Sequence, residues 1–529
     1  MAVLVADRSL QAQLYADFAP MGMRDIRGHR HYACSVLASE ERERRNRERG
    51  PVARDTSYAF LGAEPDDEVD CAKCTETQLH GLRGGIPDPI LLPYAGMPRG
   101  AAEGFCVHGL KLAEAASASI VVTNYSKWFT SADRLGEFDL LVVDEAHSVV
   151  DKLVEAVAVK VNWRGLGELL RRDVQRVEAG SEIGAWVRWA RGWAIPAART
   201  VRASLLPDRE NGGSGGRASM HPEQRKRLSR VERLLAGLSR LVEGAERAVW
   251  VVAEETYFGA TLSPVFAAPY AEEWLFKGID KVILSSATPP DAEELGIDPA
   301  TLETVELDSI FSLRRRPFIF LSQSPYMRWD TSSAEKTMQV ALMDQCLEAG
   351  RLDRKGIYHT HSYDRARDIL ARSRYARYMT LDRETYEAAP ADRPCYWLTP
   401  IAEEGVDLPG DACRFAFIPK IPFLRTVDSP VQSARAAADP GDRKALIPGY
   451  IDRIAARKVE QEYGRVMRFE GDWGEAIVFD GNWKRLWKMQ KEPRRGWSEA
   501  DKARARLFHR WFEKAWRTEW GTIPKAIKF

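Results

Sequence analysis

The residues best suited to chemistry are Asp144, Glu145 and His147, which close the run Asp139-Leu140-Leu141-Val142-Val143-Asp144-Glu145-Ala146-His147. Phosphoryl transfer divides its work between a carboxylate that holds Mg²⁺, directly or through water, and a base that orients the attacking water. Asp144 suits the first task and Glu145 the second, while His147 is placed to sense the nucleotide. The plainer reading is a strand end with a solvated acidic pair. What must position these groups is the apolar run Leu140 to Val143, which fits a buried parallel strand. Such a strand delivers its last side chains to the carboxyl edge of an α/β sheet, where ligands bind.

A second constellation is Gln461, Arg465 and Arg468. The two arginines are three apart, so a helix would put them on one face, from which both guanidiniums can reach phosphates. A solvated helix face is the alternative.

The seven cysteines are an odd number in a chain with no secretory leader, which argues against a disulfide scaffold and for a reducing cytoplasm. Four of them, Cys34, Cys71, Cys74 and Cys106, precede the acidic box. Cys71-x-x-Cys74 lets two thiolates face one centre, and the flanking pair can complete four-thiolate ligation of zinc or of an iron-sulfur cluster. Cys346, Cys395 and Cys413 lack pair spacing and read as core or near-surface residues. His31, His80 and His108 lie near the cluster cysteines, with a structural or DNA-facing role the plainer one.

One element is absent. A phosphate-binding loop needs glycine-rich backbone nitrogens, a lysine and a Ser/Thr, and no Gly-x-x-x-x-Gly-Lys-Ser/Thr run occurs in the sequence. The stretch Gly212-Gly213-Ser214-Gly215-Gly216 lacks the lysine and a preceding buried strand, so it reads as a flexible linker.

At 529 residues the chain exceeds a single core, and two to four domains are expected. Its net charge of +1 gives no global nucleic-acid signature, which is compatible with a protein that grips a backbone in a local groove. No run of eighteen apolar residues and no leader is present, so neither membrane spanning nor secretion is expected, and the expected location is cytoplasmic.

In order along the chain, several segments resemble the motifs of superfamily 2 DNA helicases of the iron-sulfur class, the XPD-like and DinG-like enzymes. Val3-Leu4-Val5 with Arg8 to Leu14 resembles the strand and helix after the phosphate loop, and Ile120 to Tyr125 the strand before the acidic box. Val282-Ile283-Leu284-Ser285-Ser286-Ala287-Thr288 resembles the Ser-Ala-Thr motif that couples hydrolysis to movement on DNA. Gly356 to Tyr363 looks like the first strand and loop of a second RecA-like domain, a region that in the family touches the nucleic-acid backbone. Glu404-Gly405-Val406-Asp407-Leu408-Pro409-Gly410 resembles the fifth motif and Gln461 to Arg468 the sixth, with Arg465 the favoured finger.

The resemblance implies an α/β fold of two RecA-like, P-loop-type motor domains with an inserted iron-sulfur cluster domain and a helical Arch-like insertion. It places the first RecA-like domain at 1–27, 113–150 and 248–312, the cluster domain at 28–112, the Arch-like helices at 151–247, the second RecA-like domain at 313–484, and an aromatic, basic helical tail at 485–529. The Gly-x-x-x-Tyr-x-Cys type run ending at Cys34 favours a [4Fe-4S] cluster over zinc, and Gly405 and Asp407 join the nucleotide site. The function implied is ATP-dependent, 5′ to 3′ translocation on single-stranded DNA and opening of a DNA fork or junction. The missing loop leaves three explanations: a truncated or split form with the loop upstream, a partner chain that supplies it, or an ATPase-deficient remnant that binds single-stranded DNA.

Overall fold

The computed structural model describes residues 1–6, 8–27, 107–132, 135–206, 222–307, 309–400, 408–423, 429–437, 450–491, 508, 512, 514–519 and 521–527. They form a mixed α/β protein of two compact units, Met1–Leu302 with Ser429–Val431, and Glu303–Asp428 with Gln432–Phe529.

The first unit is built on five parallel strands: β1 (Ala2–Val5), β2 (Met23–Ile26), β3 (Ile120–Asn124), β4 (Leu140–Asp144) and β8 (Lys281–Ser285), in the order β2-β3-β1-β4-β8. Valine, leucine and isoleucine dominate these runs because strands in a parallel sheet are covered on both faces. β1 is buried throughout. Its register sets Val5 beside Asn124, and β4 sets Asp144 beside Ser285, so the polar ends gather at one carboxyl edge. Gln11, fully buried on the helix Arg8–Phe18, donates from Nε2 to Ile26 O at 3.0 Å and anchors that helix to β2.

Between β4 and β8 the chain is largely helical, with helices at Val149–Val157, Trp163–Leu170, Ile183–Trp189, Ile195–Leu205 and Pro222–Arg247. Leu166, Leu169, Leu170, Val231 and Leu238, which recur at helical spacing, are buried, and Leu234 on the same pattern is half-buried. Trp163 stacks on Trp186 at 5.3 Å between centroids, and Trp189 meets both edge-on, so this core is aromatic. One feature departs from an all-helical segment. β5 (Val159–Asn162) lies within it and pairs antiparallel with β7 (Gly259–Pro264), which pairs with β6 (Trp250–Thr256). Two arginines of the long helix cap earlier helices: Arg227 Nε donates to Leu169 O, and Arg240 Nε to Val157 O, each at 2.9 Å. Both carbonyls lie at helix C-terminal turns, where a cation satisfies orphan acceptors and the helix dipole.

The second unit carries seven parallel strands: β9 (Phe318–Leu321), β10 (Lys355–His359), β11 (Met379–Thr380), β12 (Cys395–Thr399), β13 (Phe415–Ile418), β14 (Glu475–Val478) and β15 (Trp516–Glu519), in the order β11-β12-β10-β13-β14-β9-β15. Gly356 is required where β10 crosses Phe415, because a Cβ there would lie 2.2 Å from the ring. Arg351 and Glu475, both fully buried, form a two-pronged pair at 2.9 and 2.8 Å, and Arg351 also donates to Cys346 O and Pro524 O. That network satisfies a guanidinium that burial would otherwise penalise and ties the C-terminal segment to the sheet.

The tail differs from the helical stripe expected of it. Phe508 and Phe512 are buried against Trp483 and Phe318, but Trp516 opens β15, which extends the sheet beside β9. The helix Val107–Ala116 runs through the boundary expected at residue 112. No helix among the described residues is long and apolar enough to cross a membrane.

Candidate functional site

The candidate residues fall in both units, and each group stands on its own. In the first unit β4 ends at Asp144, and Glu145 takes φ +50°, the left-handed region that bulky residues avoid. Such a conformation costs roughly 1–3 kcal/mol and persists where surrounding bonds fix it. Here Ser148 donates to Glu145 O from both its backbone nitrogen and its hydroxyl, each at 3.0 Å. The turn leaves the Glu145 side chain half exposed and brings His147 Nδ1 to 3.2 Å from Glu145 Oε2 and 3.2 Å from Ser286 Oγ. Ser286 Oγ also accepts from Thr288 N at 3.1 Å. The Tyr125 hydroxyl donates to Asp144 O, a contact that the sequence motifs did not single out.

Half-burial is the main cause that raises the Asp144 carboxyl above its usual range, and the neighbouring Glu145 charge adds to it; the Glu145 backbone hydrogen bond and His147 oppose this rise. A carboxylate raised in this way beside a second one is eased by a nearby cation.

In the second unit Gln461 lies on the helix Tyr450–Tyr463, and Arg465 follows in a short 3₁₀ turn. The expectation that Arg465 and Arg468 share a helical face is corrected: the helix stops at Tyr463, Met467 is extended, and Arg468 sits in the following loop. Asp472 draws the chain out of helix, its Oδ2 accepting from Arg468 N at 3.1 Å. Burial, then His361 and then Arg465 hold His359, at the end of β10, well below the usual imidazole range.

Around that strand end lies a buried polar group that motif spacing alone did not reveal. His361 Nε2 stands 3.2 Å from Oε1 of Glu462, which is fully buried. Thr360 Oγ1 and His359 Nε2 are buried without a hydrogen-bond partner among the described residues. Unmade bonds of this kind are costly, and the polar groups of a ligand would offset them. The one sequence signal was a carboxylate beside Gln461 in a helix that also buries Ala455, Ala456, Val459 and Tyr463.

His361 is held neutral. Burial, then Lys458 and Lys420, push its pKa down to about 3 from 6.5, outweighing a hydrogen bond with the Lys420 backbone. On unfolding it regains the ordinary value, so the unfolded state binds more protons between those limits. Stability is therefore complete above pH 6.5 and falls as pH drops toward 3. His361→Asn keeps a residue tolerant of its φ of +57° and removes this titration. Denaturant unfolding at pH 7 and pH 5 should show a smaller pH difference in the variant; an unchanged difference would refute the assignment.

Gly405 and Asp407 lie outside the described residues, as do Cys34, Cys71, Cys74 and Cys106. The [4Fe-4S] and metal-cluster expectation is corrected: among the described residues no group of three or more His, Cys, Asp or Glu side chains could hold a metal ion. Four-thiolate ligation needs ionised sulfurs converging on one centre. The described cysteines show the opposite: Cys346, Cys395 and Cys413 are buried and free, and burial raises the thiols of Cys346 and Cys413 to about 12.

Residues 385–494 match the helicase C-terminal domain family. No curated protein matches the sequence. Among solved structures, one titled XPD_Helicase shares 15% identity over 92% of this chain and 89% of its own, with a TM-score of 0.49. The S. tokodaii Xpd4 structure shares 13% over 74% and 83%, with a TM-score of 0.41. The S. cerevisiae Dbp5 structure bound to RNA and ADP BeF3 shares 11% over 76% and 66%, with a TM-score of 0.29. All three likenesses are distant. The family match, lying in the second unit apart from Ser429–Val431, and the two parallel sheets define the class: a helicase-like α/β protein.

Proposed function

We propose that this chain is the motor of an ATP-dependent DNA helicase, with two RecA-like domains of the XPD-like and DinG-like order, acting on single-stranded DNA. The observation that carries the reading is the hydrogen-bonding set at the carboxyl edge of the first sheet, where His147 Nδ1 lies 3.2 Å from both Glu145 and Ser286. In this reading Glu145 orients the attacking water and Asp144 holds Mg²⁺, which when bound neutralises charge on the phosphates. His147 reports the state of Glu145 to the Ser285-Ser286-Ala287-Thr288 turn. Gln461 and Arg465 supply polar and positive groups to the nucleotide, and Arg468 a further guanidinium. Translocation would depend on the backbone of DNA and not on its sequence.

The His147 bridge gives a direct test. His147→Ala should preserve most basal ATP hydrolysis and lose about tenfold in stimulation by single-stranded DNA, the effect of removing a coupling energy of about 1.4 kcal/mol. Equal stimulation in the two proteins would remove His147 from the coupling path, and absence of hydrolysis in both would count against the motor.

A further inference from the structure

β3 and β4 flank β1, so their ends lie two strand spacings apart, roughly 10 Å. A long side chain is needed to span that gap, and Tyr125, the residue after β3, supplies it: its hydroxyl donates to Asp144 O at the end of β4. Tyr125 is 2% exposed, and its ring stacks on Phe129 at 6.4 Å between centroids. It opens the helix Tyr125–Ser131, whose first turn is capped where the Asn124 side chain accepts from Lys127 N at 2.9 Å. Trp128 Nε1 donates to the carbonyl of the buried Leu275 at 2.9 Å, so the helix that carries the phenol is itself pinned.

The group that the hydroxyl grips gives this contact its meaning. A peptide bond is planar, so a residue's conformation is set by how the two peptides on either side of its Cα are turned. At Glu145 both are held. The Tyr125 hydroxyl binds the oxygen of the Asp144–Glu145 peptide, and Ser148 donates to the oxygen of the Glu145–Ala146 peptide from its nitrogen and its hydroxyl, each at 3.0 Å. Between these holds Glu145 keeps φ +50° and ψ +46°, a left-handed conformation that costs a residue with a Cβ. In that conformation its Oε2 lies 3.2 Å from His147 Nδ1. We propose that Tyr125 is a positioning residue for hydrolysis, its hydroxyl locking the Asp144–Glu145 peptide so that Glu145 stays in the left-handed turn. The proposal rests on the nucleotide-hydrolysis reading above.

Tyr125→Phe keeps the ring against Phe129 and removes the hydroxyl alone. In the full chain, with ATP and single-stranded DNA, it should lower kcat by about 10- to 100-fold and change KM less than about twofold, since displacing a group that orients the nucleophile costs rate and not ground-state binding. A merely structural bond would not give that split. A second measurement reads the backbone without hydrolysis. Glu145→Gly and Glu145→Ala both lack the carboxylate and differ in their tolerance of positive φ. Glu145→Gly should therefore be about fivefold more resistant to denaturant unfolding, as an equilibrium constant, than Glu145→Ala. With Tyr125→Phe added to each, that preference should vanish or reverse, because residue 145 can then turn right-handed, where alanine is favoured. An undiminished preference for glycine overturns the proposal, as does an unchanged kcat or a loss confined to KM. No hydrolysis by the parent chain removes the nucleotide reading instead, and the glycine preference then decides alone whether Tyr125 holds the turn.

Discussion

Arg465→Ala should lower ATP turnover by about 10³-fold or more while changing single-stranded-DNA affinity less than about threefold, the pattern of a guanidinium that strengthens its contact as phosphate charge develops. Arg465 follows the end of a helix, in a turn whose next residue, Val466, is buried, and it lies near the buried His359. Arg468 lies in the loop beyond and is exposed, so its removal should cost less. Turnover and oligonucleotide binding measured on the same preparation check the split. Equal losses in both would place Arg465 on DNA.

Glu145→Gln should reduce turnover by about 10²- to 10⁴-fold with nucleotide binding retained, because an amide keeps the shape of the side chain and cannot accept a proton from water. The backbone gives a physical reason to expect a functional carboxylate there. A left-handed glutamate is strained, Ser148 holds its carbonyl, and its carboxylate lies 3.2 Å from His147. If the Glu145→Gln protein turned over normally, Glu145 would be the solvated strand end of the plainer reading.

Much of the first sheet was legible in the sequence because short runs of valine, leucine and isoleucine ending in polar residues have few other uses. Leu140 to Asp144 and Val282 to Ser285 are strands, and their polar ends meet as the motif order implied. The helical spacing of Leu166, Leu169 and Leu170 was equally direct. What escaped was set by contacts distant in sequence. The switch of Trp516 from helix to strand depends on β9, far earlier in the chain. The His361–Glu462 pair joins a strand end to a helix well separated from it in sequence, and no local pattern announces it.

The most direct test of the central claim is ATP hydrolysis stimulated by single-stranded DNA. It should be measured on this chain isolated from its native host with the polypeptides that accompany it, beside the Glu145→Gln protein prepared identically. Stimulated turnover that collapses in the variant is the expected result. Turnover unaffected by Glu145→Gln, or none in either preparation, would contradict the assignment of Asp144 and Glu145 as the hydrolytic site.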